Sequence, residues 1–212
     1  MYASSAATYG DGSLGYDDDD SLTPKLKPLN PYGESKRLFD LWVLDQERKK
    51  STPPSWSGFK FFNVYGFGER HKEKMASVIL HAYDQIQTSG KVKLFKSHRP
   101  EIVHGHQKRD FIWVGDVVSV LNYALEKPIP RGIFNLGTGH ARTFLDLVRA
   151  TFKSLGKPEN IEFIDTPVEL RERYQYYTEA KMDRLRAAGY SKPFTSLEEG
   201  VRRYIDDLKQ MI

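Results

Sequence analysis

The chain has no cysteine among its 212 residues. Disulfides and thiolate chemistry are therefore excluded, and the composition fits a reducing compartment such as the cytoplasm. A run of about 18 apolar residues is also missing, so no membrane-spanning helix is expected. The first residues lack the basic-then-apolar layout of a secretory signal. Charge of one sign is scarce too, since 32 basic against 28 acidic residues leave only +4, with the signs interspersed. That pattern describes a solvated surface, with no nucleic-acid groove. At 39% hydrophobic residues, a chain of this length can bury a substantial core, as one large domain or two small ones.

What is present begins with a decoy. Gly10, Gly12 and Gly15 in "YGDGSLGYDDDD" satisfy the spacing G-x-G-x-x-G. A working dinucleotide fingerprint needs a strand before it and a helix opening directly after it, so that the helix N-terminus meets the pyrophosphate. Here Asp17 to Asp20 follow instead, and four carboxylates would repel a diphosphate. The segment reads as a loop. A calcium loop is not expected either, because the EF-hand ligand spacing and its closing Glu are absent.

Apolar periodicity and turn residues divide the rest. Residues 1–5 read as a strand end and 6–29 as a long loop rich in Gly, Asp, Ser and Pro, a length typical of functional or disordered segments. Asn30 as N-cap and Pro31 at the first helical position predict a helix of about 19 residues. "GFKFFNVYG" reads as one strand, and "MASVILHAYDQIQTSG" as a helix stopped by Gly90. "KVKLF" and "RDFIWV" are short strands flanking a polar stretch. A helix "VVSVLNYALEK" follows the cap Asp116, then a buried strand "GIFNLGT", a helix "TFLDLVRATFKSLG" and a strand "NIEFID". The final helix, "TSLEEGVRRYIDDLKQMI", carries Leu197, Val201, Tyr204, Ile205 and Leu208 on one face. Strands alternate with helices, which predicts an α/β fold with a largely parallel sheet. There is no internal repeat.

Tyr32 and Lys36 lie four apart on the helix after the loop, and so on one face. An ammonium near a phenol favours the phenolate, moving a pKa of about 10 toward the range where it works as acid or base. Alone the pair is a weak signal. Upstream, however, "YASSAATYG" puts the hydroxyls of Ser4, Ser5 and Thr8 where a strand ends, and open α/β sheets bind ligands beyond such ends.

Ser5, the Tyr32/Lys36 pair and the following "FNVYG" together resemble the extended short-chain dehydrogenase/reductase family of NAD-dependent epimerases and dehydratases. Members use Ser/Thr, Tyr-x-x-x-Lys and a nicotinamide cofactor for hydride chemistry on nucleotide sugars. Seven further segments, "KPLNPYGESK", "HKEKMASV", "KRDFIWVGDV", "GIFNLGTG", "RYQYYTEA", "LRAAGYSKPF" and "YASSAATYG" itself, extend the likeness over nearly the whole chain. As a set they are similar to the branch that epimerises ADP-heptoses at C6.

The resemblance implies the C-terminal part of a Rossmann-type doubly wound parallel sheet with a smaller α/β substrate domain. Residues 1–71 would be the C-terminal half of the Rossmann domain, 72–109 a substrate-domain insertion, 110–142 a return to the Rossmann domain and 143–212 the C-terminal substrate domain. It implies Tyr32 and Lys72 as the two catalytic acid/bases, Ser5 holding the reacting oxygen and Lys36 gripping the nicotinamide ribose. Val64 would lie against the cofactor, NADP with NAD as the alternative, and Tyr32, Lys36 and Lys72 would also contact it. Substrate contacts would come from Ser5, Asn63, Lys74, His81, Phe95, Lys96, Ser97, His98, Arg109 and Tyr174. Arg109 also has a physical warrant, since a guanidinium fork suits phosphate. Lys74 departs from the branch, which tends to have a small Ser there. The implied setting is cytoplasmic lipopolysaccharide-core synthesis by a ring-shaped homo-oligomer such as a pentamer, with ADP-heptose as substrate.

Two tempting alternatives are set aside. His98, His104 and His106 lack a Cys or an evident fourth ligand for zinc, and "LGTGHAR" lacks the Lys-Ser/Thr ending of a P-loop. The resemblance also puts the cofactor fingerprint ahead of Met1, so a chain beginning here is expected to lack about one β-α-β-α-β half. Three readings follow: the rear part of an ADP-heptose epimerase, a sister nucleotide-sugar epimerase or dehydratase, or a shortened, non-catalytic ADP-sugar binder. In the last case "FKFFNV" and "GIFNLG" would be left with exposed edges, and this is the expectation for the 212 residues by themselves.

Overall fold

A computed structural model describes residues 1–171 and 174–210. In chain order its strands and helices are β1 (Tyr2–Ser5), α1 (Pro31–Arg48), β2 (Ser57–Phe61), β3 (Asn63–Tyr65), α2 (Val78–Ser89), β4 (Val92–Phe95), β5 (Lys108–Trp113), α3 (Val114–Glu126), β6 (Gly132–Leu136), β7 (Ala141–Thr143), α4 (Phe144–Leu155), β8 (Ile161–Ile164), α5 (Val168–Arg171), α6 (Asp183–Ala187) and α7 (Leu197–Lys209). Short 3-10 turns cover Ala6–Tyr9, Asp20–Lys25 and Arg70–Met75.

The main helices start where local chemistry says they should. Asn30 accepts a hydrogen bond from Gly33 N at 2.8 Å, with Pro31 at the first position, satisfying one of the orphan amides of a helix start. Thr143 and Asp146 cap α4 reciprocally, and Gly156 (φ 65°) ends it in the left-handed region. Two starts differ from expectation. The helix expected from Met75 begins at Val78, because Ser77 is extended and caps it. The helix α3 begins at Val114, so Asp116 is no cap. It accepts instead from Thr195 N at 2.7 Å and Thr195 Oγ1 at 3.0 Å, tying α3 to the approach to α7. The last two residues of the expected final helix, 211 and 212, lie outside the described residues.

The strands form three small sheets. One has the parallel order β1-β2-β6, one the order β3-β5-β7 with β7 antiparallel, and one pairs β4 with β8 in parallel. The run expected as one strand, "GFKFFNVYG", is two: β2 stays in the first sheet and β3 joins the second, with Phe62 between them. There Phe62 N donates to Leu136 O at 3.1 Å and Val64 N to Phe62 O at 2.9 Å, a tight turn that redirects the chain. Of the two strands expected to have exposed edges, "FKFFNV" (β2) lies inside its sheet, whereas "GIFNLG" (β6) does end it. Both sides of β2 are paired, and Phe59, Phe134 and Leu136 are fully buried.

Two large apolar clusters, with a small third around Val43, Trp56 and Ile133, hold the layers. Phe59, Ile112, Phe134 and Tyr190 anchor one around the first sheet; Ile79, Phe152, Val201 and Ile205 anchor another where α2, α4 and α7 meet. The long segment 6–29 is docked against the first. Buried Asn135 accepts from Tyr9 Oη at 2.7 Å, donates through Nδ2 to Tyr16 O at 2.8 Å, and donates through its backbone N to Asp18 Oδ2 at 2.7 Å. Among the described residues, no helix is long and apolar enough to cross a membrane.

Candidate active site

Because β1, β2 and β6 run parallel in register, Ser5, Phe61 and Leu136 end them on the same side. A cavity of about 560 Å³ lies there, beyond the carboxyl ends of the strands where open α/β sheets take ligands. The turn at Phe62 feeds Asn63 and Val64 into its wall, and the start of α1 brings Tyr32, which is 57% exposed. The segment Arg70–Met75 contributes Lys72, and β5 contributes Arg109. Ser5, Tyr32, Asn63, Val64, Lys72, Arg109 and Tyr174, which come from separate stretches of sequence, thus line one space.

Each group has a distinct setting. Ser5 Oγ accepts from Ala7 N at 3.1 Å, which uses a lone pair and leaves its O–H to donate. Lys36 Nζ sits 5.8 Å from the Tyr32 ring centre and donates to Ala3 O at 2.9 Å; it is not in the cavity wall. Arg109 is buried, and its guanidinium donates to Lys108 O at 2.9 Å and to Gln175 O. It stands 5.6 Å from the ring centres of both Phe144 and Tyr174. No carboxylate among the described residues pairs with it, and burial lowers its pKa from the usual guanidinium value. A buried cation answered only by carbonyls and ring faces favours an anionic ligand. Burial raises the Tyr174 phenol, with Arg109 opposing that shift.

A second cavity of about 340 Å³ shares Tyr174, Phe144 and Val78 with the first and is lined by His81 and Phe95. It is largely apolar and suits a flat ring. Lys96, Ser97 and His98 line neither cavity. Lys96 pairs with Asp165 at 3.2 Å, Ser97 N donates to His104 Nδ1 at 3.0 Å, and Thr166 N donates to His98 Nε2 at 3.2 Å. These bonds tie the 96–104 loop to itself and to its neighbours. Lys74 is exposed and also outside the cavity wall. Among the described residues, no group of three His, Cys, Asp or Glu is placed to hold a metal.

The sequence model of the NAD dependent epimerase/dehydratase family matches residues 1–137. The chain belongs to that family. A protein of Fusobacterium nucleatum named ADP-L-glycero-D-manno-heptose-6-epimerase is 49% identical over 98% of this chain and 64% of its own length. One of the same name from Nitratidesulfovibrio vulgaris is 52% identical over 96% of this chain and 62% of its own. The chain thus spans less than two thirds of these relatives. Among solved structures, the Helicobacter pylori enzyme of that name has a TM-score of 0.75 and 29% identity, covering 98% of this chain and 58% of that one. The Thermus thermophilus UDP-glucose 4-epimerase, at 22% identity and a TM-score of 0.79, shares the fold.

For a nicotinamide cofactor, the family's working group, the residues present fit one end. Val64 supplies an apolar wall beside the Tyr32 phenol and the Ser5 hydroxyl, a donor set suited to a hydride-exchanging ring next to a sugar oxygen. The glycine triplet does not fit the pyrophosphate. Gly10, Gly12 and Gly15 form successive turns with φ between 64° and 77° and open no helix, and the acidic run beyond them is engaged by Arg184 and Lys181.

Two charged groups at or beside the cavity were not expected from the sequence. Asp40 and Lys60, 0% and 2% exposed, pair at 3.2 Å between α1 and β2. Asp40 also accepts from Ser4 Oγ at 2.7 Å and Tyr2 Oη at 2.9 Å, and Lys60 donates to Thr8 Oγ1 at 2.7 Å. Burial lowers the Lys60 pKa and Asp40 opposes this. The pair locks the helix of Tyr32 to the strands carrying Ser5. A signal existed, since Asp40 follows Lys36 by four and Lys60 interrupts an apolar run. The second is Glu69, a buried carboxylate in the cavity wall. Arg173 of the "RYQ" motif lies outside the described residues.

Proposed function

We propose that the protein inverts C6 of an ADP-heptose, interconverting ADP-D-glycero-D-manno-heptose and its L-glycero epimer. The observation that carries this reading is the approach of Tyr32 from α1 and Lys72 from the Arg70–Met75 segment to one cavity, with Arg109 in its wall. The names of the relatives at about half identity support the choice of sugar. A bound nicotinamide, NADP with NAD as the alternative, would supply reversible hydride exchange.

The chain's own groups handle the rest. Inversion without net redox change requires a hydrogen to leave the carbon from one face and return to the other, so a proton donor is useful on each side of the transient carbonyl. Tyr32 Oη would serve one side and Lys72 Nζ the other, exchanging the proton of the sugar oxygen. Ser5 Oγ would donate to that oxygen, and Asn63 would orient the sugar. Arg109 would take the diphosphate, with the nucleoside in the cavity of His81 and Phe95. Lipopolysaccharide-core synthesis in the cytoplasm and a homo-oligomeric assembly belong to the same reading.

The test uses the complete protein loaded with cofactor and ADP-D-glycero-D-manno-heptose. Tyr32→Phe and Lys72→Ala should each lower kcat by about 100-fold or more, the usual size of an acid/base contribution. Wild-type turnover of UDP-glucose with none of the ADP-heptose would redirect the assignment to another nucleotide sugar.

A further inference from the structure

Lys72 sits on a loop whose shape needs explaining. Residues 70–76 are mostly solvent-exposed, with Met75 at 85%, and the Lys72 side chain has no hydrogen bond or ion pair among the described residues. Inside the loop Glu73 adopts φ 48°, ψ −118°, a conformation that costs a non-glycine residue energy and persists only where its surroundings impose it. Left alone, such a segment would sample many shapes and spread Lys72 over a wide volume.

Glu69 spans the two ends of this loop. It is only 4% exposed and uses both carboxylate oxygens on Ser77, at the far end of the loop: Oε2 accepts from Ser77 N at 2.8 Å and Oε1 from Ser77 Oγ at 2.5 Å. Its own carbonyl accepts from Lys72 N at 2.9 Å, and Glu73 O accepts from Ala76 N at 3.1 Å. Arg70 pairs with Asp84 of α2 at 3.2 Å. One buried side chain therefore joins the two ends of the loop through charge-assisted bonds, which are stronger and shorter than neutral ones. Glu69 and Lys72 line the same cavity.

We propose that Glu69 is a positioning residue for Lys72. By clasping Ser77 it closes loop 70–76 and confines the ammonium to the cavity. The role rests on the reading of Lys72 as an acid/base, and it predicts that Glu69 acts on turnover through that lysine, leaving sugar-nucleotide binding to Arg109 and the second cavity.

The experiment combines amide hydrogen exchange with steady-state kinetics in the complete protein. Glu69→Ala should speed exchange across residues 70–76 by about tenfold or more while α1 and β2 remain protected. It should lower kcat by about 10- to 100-fold, a misplacement effect, and change KM less than about threefold. Glu69→Gln keeps an acceptor for Ser77 N and can exchange roles with the Ser77 hydroxyl, so it should restore loop protection and most of kcat. The double variant Glu69→Ala/Lys72→Ala should be no slower than Lys72→Ala, since residues acting as one unit do not add. If Glu69→Ala does not fold, Glu69→Asp, shorter by one methylene, should show the same changes. Unchanged loop exchange, multiplying losses in the double variant, or Glu69→Gln behaving like Glu69→Ala overturns the proposal. Wild-type turnover of Lys72→Ala alone overturns the acid/base reading and the positioning role with it; the exchange result then still decides whether Glu69 closes the loop.

Discussion

Glu73 carries the sharpest local cost in the site. A glycine at the same φ and ψ has no Cβ to clash, so Glu73→Gly removes a strain of order 1–3 kcal/mol and adds about 0.5–1 kcal/mol of backbone entropy loss. The expected balance is a gain of about 1 kcal/mol in unfolding free energy, read by denaturant titration. Lost stability would mean that the Glu73 side chain contributes more than its backbone costs. The same loop shows why single residues in this site answer to their neighbours. Ser5 and Asn63 are held by strand register, whereas Lys72 is held by hydrogen bonds that close a segment with no regular pairing of its own.

The helix α1 shows how an element aims a reactive group. Its first turn carries Tyr32 and its third carries Asp40, which is pinned to Lys60 on β2 and Ser4 on β1. Asp40→Asn leaves a buried ammonium without its carboxylate, so a loss of about 3–5 kcal/mol is expected in denaturant unfolding. Replacing both partners, as in Asp40→Leu/Lys60→Met, should recover most of that loss, because no charge then remains stranded. Equal losses in the two variants would show that the pair matters only for its shape.

Helices α1, α2, α4 and α7 were legible in the sequence from their apolar periodicity and, for α1, from the cap Asn30; the cap Ser77 was not read, and the start of α2 was placed too early for that reason. The break at Phe62 was not legible. Strands of a parallel sheet covered on both faces read as continuous apolar runs, so "FKFFNV" gives no sign of where one sheet is left for another. For the site, Ser5, Tyr32, Asn63, Val64, Lys72, Arg109 and Tyr174 were named through the family resemblance, with a residue-level warrant only for Ser5, Tyr32 and Arg109, and they line one cavity. Asp40 and Glu69 were missed because their partners are set by folding. Lys96 to His98 share the polar character of a binding loop, but their bonds go to Asp165, His104 and Thr166.

At the scale of the molecule, α7 packs onto β5 of the second sheet. Gly200 allows that approach: a Cβ there would lie 2.0 Å from Tyr65 Oη and 3.2 Å from Trp113 Cβ. In an exposed helix, glycine to alanine gains about 1 kcal/mol, whereas overpacking a filled core costs about 1–3 kcal/mol. Gly200→Ala should therefore be destabilising by about 1 kcal/mol or more, read as a lower Tm. A raised Tm would mean that α7 can shift outward at little cost.

The turn at Phe62 links the two sheets through a single residue. Phe61 is in register with Leu136 in one sheet, and Asn63 with Phe111 in the other. A tilt of either sheet is thus transmitted along the backbone into the wall of the cavity, with no slack loop to absorb it. Phe62 acts as a rigid coupling: the spacing of the two sheets at the cavity wall is set by one residue, so a change at Phe62 is expected to shift Asn63 and Val64 with it.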